Sequence, residues 1–115
     1  MPVIDSYSFG HMVIDGKSYT KDVIIFPDGS ILSPWWRNQG HKLTTDDLRK
    51  LLAAEPAVII CGTGAMGVMR PTAVLQEYLA AHNIEFIAQR SAKAVETYNK
   101  LSGTEKAGGC FHLTC

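Results

Sequence analysis

Short alternating runs of apolar and polar residues dominate the first forty positions of the chain. One pair of runs flanks Asp15-Gly16, a dipeptide that accepts the positive φ angles of a tight hairpin turn. A second pair flanks Pro27-Asp28-Gly29 in the same way. The predicted strands are residues 4–9, 12–14, 17–19, 22–26 and 30–32. This part of the chain is therefore predicted to form β-hairpins.

After residue 43 the apolar positions recur every three to four residues, which is typical of helices packed on one face. Pro71 suits a first helical position, because its missing N–H has no partner there. Ser91 can cap a later helix through its hydroxyl oxygen. The predicted helices are one from Thr44–Asp47 to Pro56, one over residues 71–82, and one from Ser91 to Gly103.

Three further strands are predicted at residues 57–61, 84–88 and 109–114. The first is a continuous apolar run, which indicates a central strand covered on both faces. Together with helix 71–82 and strand 84–88 it forms a βαβ unit, whose strands are parallel. Because the hairpins are antiparallel, the sheet must be mixed. We expect residues 1–115 to form one α/β domain.

The composition is that of an ordinary folded chain: 115 residues, 46% hydrophobic and 19% charged. Eleven basic residues balance eleven acidic ones, so we expect no general nucleic-acid binding. The apolar runs are too short for membrane insertion, and the start of the sequence lacks signal-peptide features. The three cysteines are expected to be reduced thiols. The expected compartment is the cytoplasm.

The segment Gly62-Thr63-Gly64-Ala65-Met66-Gly67 matches the glycine spacing of a dinucleotide-binding loop after a strand. However, residues 68–70 delay the helix, and the next strand ends in Gln89-Arg90 rather than an acidic residue that would hold a ribose. Arg90 would instead suit a 2′-phosphate. A second interpretation is a pocket for a small anion, held by loop amides and Arg70, with Thr63 and Met66 at its mouth.

Cys110, His112 and Cys115 place three potential metal ligands within six residues. A closed zinc site needs four ligands, and alternation along a strand separates Cys115 from the other two. We therefore expect no metal and no cofactor. His112 is interpreted as a hydrogen-bonded structural residue, and Cys115 as an accessible thiol that oxidation would reach.

Trp35, Trp36 and Arg37 form an unusual cluster in an otherwise polar loop. Indole and guanidinium groups are common anchors of protein interfaces, and the two can stack through a cation–π contact. We expect one indole to lie in the core and the other to be exposed. These three residues are the candidate partner surface; the alternative is that both indoles only cover the sheet edge.

Several short elements follow one another along nearly the whole chain: Trp36-Arg37, Gly40-His41, Gly62-Thr63-Gly64, Glu85-Phe86, Ala94, Tyr98-Asn99 and residues 108–115. In this order they resemble a small domain family that includes the adipogenesis-associated protein of animals and a mitochondrial assembly factor for respiratory complex I. The resemblance implies a three-layer α/β fold with a mixed central sheet and no established enzyme activity. It also implies a pocket lined by Gly62, Thr63, Gly64, Trp36, His41 and His112.

The sequence thus favours a non-catalytic binding or assembly-accessory protein with a small pocket at the Gly62–Gly67 loop. Its expected ligand is a protein partner or a small anion. The alternative is a small-molecule or nucleotide-binding enzyme that uses the same pocket. In that enzyme Thr63 would donate a hydrogen bond, Arg70 would hold an anion and His112 would act as acid and base.

Overall fold

The chain forms ten strands and three α-helices in a computed structural model that describes residues 2–115. In chain order the strands are β1 (Ile4–Ser8), β2 (His11–Ile14), β3 (Lys17–Tyr19), β4 (Val23–Ile25), β5 (Ile31–Leu32), β6 (Lys42–Leu43), β7 (Val58–Thr63), β8 (Arg70–Pro71), β9 (Glu85–Gln89) and β10 (Ala107–His112). The helices are α1 (Arg49–Ala53), α2 (Ala73–Ala81) and α3 (Ser91–Leu101). In this part of the chain no helix is long and apolar enough to cross a membrane.

Both predicted hairpins are present. β1, β2 and β3 form an antiparallel sheet of three strands, and the turn between β2 and β3 contains Asp15 and Gly16 at φ 48° and 81°. β4 and β5 pair across a turn in which Gly29 has φ 90°. Glycine and aspartate are favoured here because they tolerate a positive φ that strains most side chains.

The main sheet has five strands in the order β5-β4-β10-β7-β9. β10 runs parallel to β7 and antiparallel to β4, and β7 runs parallel to β9. The sheet is therefore mixed, and the βαβ unit of β7, α2 and β9 is confirmed. β7 is an interior strand, as its apolar run predicts, but the middle position belongs to β10, the last strand in sequence.

The five-stranded sheet is covered on both faces, which confirms the α/β fold and gives it three layers. One face packs against α3 and the three-stranded sheet, where Tyr98 meets Phe111 edge to face at a centroid distance of 6.0 Å. The other face packs against α1, α2 and the buried indole of Trp35. Both clusters are apolar, so the hydrophobic effect holds the layers together.

Two helix starts differ from the prediction. Pro71 lies in β8, which pairs in parallel with β6, and Thr72 is the N-cap of α2, where its hydroxyl accepts from the Leu75 N–H at 3.2 Å. Ser91 is the first residue of α3 and does not cap it, because its hydroxyl bonds toward β7 and β10. In both cases a contact with a distant strand overrides the local preference.

The first helical segment begins as expected from its oxygen-bearing side chains. Thr44 N–H donates to Asp47 Oδ2 at 2.9 Å, and Asp47 N–H donates to Thr44 Oγ1 at 3.2 Å. This reciprocal pair satisfies the N–H of Asp47 in the first turn and that of Thr44, which precedes the N-cap residue Thr45. The segment then opens with a 3₁₀ turn at Asp46–Leu48 before α1.

Candidate functional site

The glycine-rich segment begins inside the sheet rather than in an open loop. Gly62 and Thr63 are the last residues of β7 and are buried. A Cβ at Gly62 would lie 2.6 Å from Phe111 Cδ1 and 2.9 Å from Ser91 Oγ. This glycine is needed for packing, because any side chain would collide with the core.

The amides of the loop bind the protein's own chain. Gly64 N–H donates to Ser91 Oγ at 2.9 Å, Ala65 N–H donates to the Thr114 carbonyl at 2.6 Å, and Val68 N–H donates to the Cys115 carbonyl at 3.2 Å. A phosphate would need such amides to be free and to lead directly into a helix. Here they are occupied and α2 begins only at Ala73, so the geometry does not support a dinucleotide site.

The other residues expected around the loop do not converge with it. Thr63 Oγ1 donates to the Gln89 carbonyl at 3.0 Å, so its hydroxyl is not offered to a ligand. Met66 is 67% exposed, and Arg70 and His41 are exposed residues joined by an Arg70 N–H bond to the His41 carbonyl. The exception is His112, whose ring lies against the loop: a Cβ at Gly64 would be 2.9 Å from His112 Cδ2.

Two of the predicted pocket residues, Trp36 and His112, do share a cleft of about 420 Å³. This cleft lies where β10 ends, at the carboxyl edge of the parallel strands, which is the usual position of binding crevices in α/β sheets. Its volume is within the range of small-ligand sites. Its lining includes Lys21, Asp22, Pro34, Trp36, Arg37, Gly40, His112 and Thr114.

Asp22 organises the floor of the cleft. Its Oδ1 accepts the Leu113 N–H at 2.8 Å, and its Oδ2 lies 2.7 Å from Arg37 Nη1 and 2.8 Å from His112 Nδ1. Burial by itself raises the pKa of Asp22, but the hydrogen bonds from His112, Leu113 and Arg37 outweigh it and hold the pKa below its usual value. The carboxylate is therefore ionised and fully bonded.

The hydrogen-bond network assigns the imidazole tautomer of His112. An unprotonated Nδ1 at 2.8 Å from an ionised carboxylate would be repelled, so Nδ1 carries a proton and donates it to Asp22. Arg37 Nη2, 3.0 Å from the same nitrogen, directs a proton to the Gly40 carbonyl at 3.2 Å. His112 lines the cleft, and its recorded side-chain hydrogen-bond contacts all involve Nδ1.

Arg37 is held between Asp22 and an aromatic ring. Its guanidinium carbon lies 4.8 Å from the centre of the Trp35 ring, a cation–π contact predicted from the sequence. Trp35 Nε1 donates to the Asp47 carbonyl at 3.0 Å. The Arg37 side chain is only 5% exposed and its charge is matched by Asp22, although its Nε is buried without a hydrogen-bond partner among residues 2–115.

The expected partner surface of Trp35, Trp36 and Arg37 is corrected by these positions. Trp35 is 4% exposed and Arg37 is buried in the ion pair, whereas Trp36 is 80% exposed. One indole therefore lies in the core and the other in solvent. Only Trp36 remains available from this cluster to contact a partner.

The cysteines fall into two groups. Cys61 and Cys110 are fully buried neighbours on β7 and β10, and the Cys61 hydrogen bond together with burial raises the pKa of Cys110 well above its usual value. Both are thus core residues of low reactivity. Cys115 is exposed. Residues 2–115 contain no group of three or more His, Cys, Asp or Glu side chains placed to hold a metal ion.

Sequence reasoning missed Asp22, the residue on which the cleft depends. The sequence pattern marks Asp22 only as the first position of an apolar strand, before Val23. A carboxylate beside such a strand is a weak signal, because strand ends often carry charges. Its partner His112 lies 90 positions away, and nothing in the local pattern joins the two.

Fold and cleft together define a small mixed α/β domain with a cleft of mixed polar and apolar lining at the carboxyl edge of its parallel strands. Residues 4–112 match the DUF498/DUF598 family, which is described as a protein of unknown function. The chain belongs to this family. A search of curated proteins finds no significant match.

Several solved structures are similar over almost the whole chain. The conserved hypothetical protein PH1505 from Pyrococcus horikoshii OT3 is 26% identical, with a TM-score of 0.84 over 97% of this chain and 98% of that one. A structure named MT938 is 21% identical, with a TM-score of 0.83 over 100% of both chains. A Bordetella pertussis protein described as a Mth938-like domain is 17% identical, with a TM-score of 0.76 over 97% of this chain and 85% of that one. These likenesses establish the fold.

Proposed function

We propose that this chain is a cytoplasmic, non-catalytic binding protein that receives a protein partner at the Trp36 cleft. The proposal depends on the way in which Trp36 is presented. Its indole is 80% exposed, yet both neighbours in sequence are buried, Trp35 in the core and Arg37 in the ion pair with Asp22. Trp36 is therefore an exposed anchor on a fixed backbone, which loses little conformational entropy on binding.

Tryptophan is among the residues that most often dominate the energy of an interface. The two clefts that Trp36 borders, of about 420 and 280 Å³, give a partner a surface on each side of the ring. The resemblance to a mitochondrial complex I assembly factor supports an accessory role in assembling a protein complex.

A partner fits the cleft better than the small anion expected from the sequence. The Arg37 donors Nη1 and Nη2 are engaged by Asp22 and the Gly40 carbonyl, and Asp22 is itself negative. An anion at the floor of the cleft would meet the Asp22 carboxylate, whose charge Arg37 matches. The loop amides that would bind an anion are occupied by Thr114 and Cys115.

The test is a comparison of Trp36→Ala with Val74→Ala, because Val74 is also exposed and apolar, at 69%, but lies on α2. Proteins captured from a lysate of the native host by wild type would be identified, purified and titrated against the three chains. We expect Trp36→Ala to lower the affinity for a captured partner by about 30-fold and Val74→Ala to leave that affinity unchanged. A screen in which no partner distinguishes Trp36→Ala from wild type would refute the proposal.

The enzyme alternative is favoured by one observation, the Asp22–His112 pair. A carboxylate that holds Nδ1–H fixes the ring orientation and leaves Nε2 as the unprotonated nitrogen, as in many acid–base sites. A thermal-shift screen of nucleotides, phosphorylated metabolites and small acids tests it. A ligand at one hundred times its dissociation constant adds about 2.7 kcal/mol of stability. A stabilising ligand lost in His112→Gln would support an enzyme; a flat screen would reject it.

A further inference from the structure

Three strongly exposed apolar side chains lie around one segment, Leu113–Thr114. Phe9, 63% exposed, precedes Gly10, whose N–H donates to the Leu113 carbonyl at 2.8 Å. Met66, 67% exposed, follows Ala65, whose N–H donates to the Thr114 carbonyl at 2.6 Å. Trp36 lines the same cleft as Thr114. We call this surface the Phe9–Trp36–Met66 face.

Basic side chains border this face. Lys21 lines the cleft, and Arg70 is an exposed residue whose backbone N–H bonds to the carbonyl of His41, next to the cleft residue Gly40. The side chain of Arg90 packs against the loop beside Met66, since a Cβ at Gly67 would lie 3.3 Å from Arg90 Cγ. None of these three cations forms an ion pair with a carboxylate of residues 2–115.

The acidic residues nearby do not cancel this charge. Asp22 is already matched by Arg37. On the other side of Trp36, Asp46 and Asp47 share their groove with Arg49 and Lys50, so that groove is balanced. Lys21 and Arg90 are therefore cations without a carboxylate partner among residues 2–115, in a chain whose formal net charge is zero.

We propose that the Phe9–Trp36–Met66 face binds an acidic segment of a partner protein, one that carries apolar side chains between its carboxylates. This rests on the proposed function and names the class of partner. Aromatic residues, Met and Arg are the types enriched in interface cores, and opposite charge steers the partner to its site. Three separated cations provide too few phosphate contacts for stable nucleic-acid binding.

The probe is a displayed library of random 12-residue peptides, selected on wild type and counter-selected on Trp36→Ala. We expect the surviving peptides to have net negative charge and at least one aromatic or leucine residue. A synthetic peptide from this pool would then be titrated at low and moderate salt. Its affinity should fall as salt is raised, because the cations are exposed.

The decisive variant is Lys21→Gln/Arg70→Gln/Arg90→Gln, with Lys50→Gln/Lys100→Gln/Lys106→Gln as the control that removes equal charge elsewhere. We expect the first triple variant to lower the affinity for the peptide at least about tenfold. The control variant should change that affinity less than about twofold. Trp36-dependent peptides without acidic residues, or equal effects of the two variants, would overturn this inference but leave the proposed function standing. A library with no Trp36-dependent peptide would overturn both.

Discussion

Asp22 Oδ2 lies 2.8 Å from His112 Nδ1, although the two residues are 90 positions apart in the chain. The contact exists because β10, which ends at His112, pairs with β4, which begins one residue after Asp22. Arg37 joins them from a loop. The cleft is thus built where three remote parts of the chain meet.

Replacing Asp22 with Asn should destabilise the protein by about 3 kcal/mol or more at neutral pH, because Arg37 and His112 lose a buried anion. Urea denaturation of wild type and Asp22→Asn measures this free energy of unfolding. The Asp46→Asn substitution is the control, since its ion pair with Arg49 is exposed.

The difference in stability between wild type and Asp22→Asn should depend on pH. The pKa of Asp22 in the folded state is below its ordinary value of 3.8, so its ionised form stabilises the fold above that pH. This contribution is lost as the pH falls below 3.8 through the lowered pKa of the folded state. The stability gap between wild type and Asp22→Asn should therefore narrow in acid. A gap that stays constant from pH 7 to about pH 3 would contradict the ion-pair account.

Ser91→Ala should destabilise the protein by about 1–3 kcal/mol. The buried hydroxyl accepts the Gly64 N–H at 2.9 Å and donates to the His112 carbonyl at 2.6 Å, and alanine leaves both groups without a partner. Ser18→Ala, at an exposed position of β3, should change the thermal midpoint very little. Equal midpoints for Ser91→Ala and wild type would show that water replaces both bonds.

Tyr98→Phe should preserve or increase stability, by up to about 1 kcal/mol at pH 7, because the Tyr98 hydroxyl is buried without a hydrogen-bond partner among residues 2–115. Burial raises the pKa of Tyr98 to about 12. The stability of wild type should then fall as the pH rises from 10.0 toward 12, and Tyr98→Phe should lack this part of the fall. Chemical denaturation at neutral and alkaline pH measures both effects, and a clear loss of stability at pH 7 would reveal an unseen partner of the hydroxyl.

The thiols should react in two stages with a chromogenic disulfide reagent. Cys115 is exposed and should react at once in the native protein, whereas Cys61 and Cys110 are buried and should react only on unfolding. Cys115→Ser should abolish the fast phase. An inert Cys115 would remove the oxidation role expected for it.

Much of the secondary structure was predictable from local pattern. Neighbouring residues alone specify three features: the Asp15-Gly16 turn, the apolar run of β7 and the helical periodicity of α2 and α3. Steric and capping preferences act over the same short range. Pro71 and Ser91 were assigned wrongly because each is governed by a strand far away in sequence, β6 for Pro71 and β10 for Ser91.

The candidate site was predictable only in part. Trp36 and His112 stood out as residue types suited to binding and acid–base chemistry, and the His112 ring does lie against Gly64, but the sequence pattern gave no sign of Asp22. The loop amides proved to be occupied by Thr114 and Cys115. Which amides are free, and which charges are matched, depends on long-range contacts.

By itself, the sequence determined the α/β class, the hairpins, the βαβ unit and the residues capable of chemistry. Those features follow from the periodicity of burial and from the φ, ψ preferences of single residues. Only the tertiary structure decided that β10 enters between β4 and β7 and carries His112 to Asp22 and Arg37. The reason is physical: strand order and ion pairing are set by the burial of the whole core, and no local stretch of sequence contains that information.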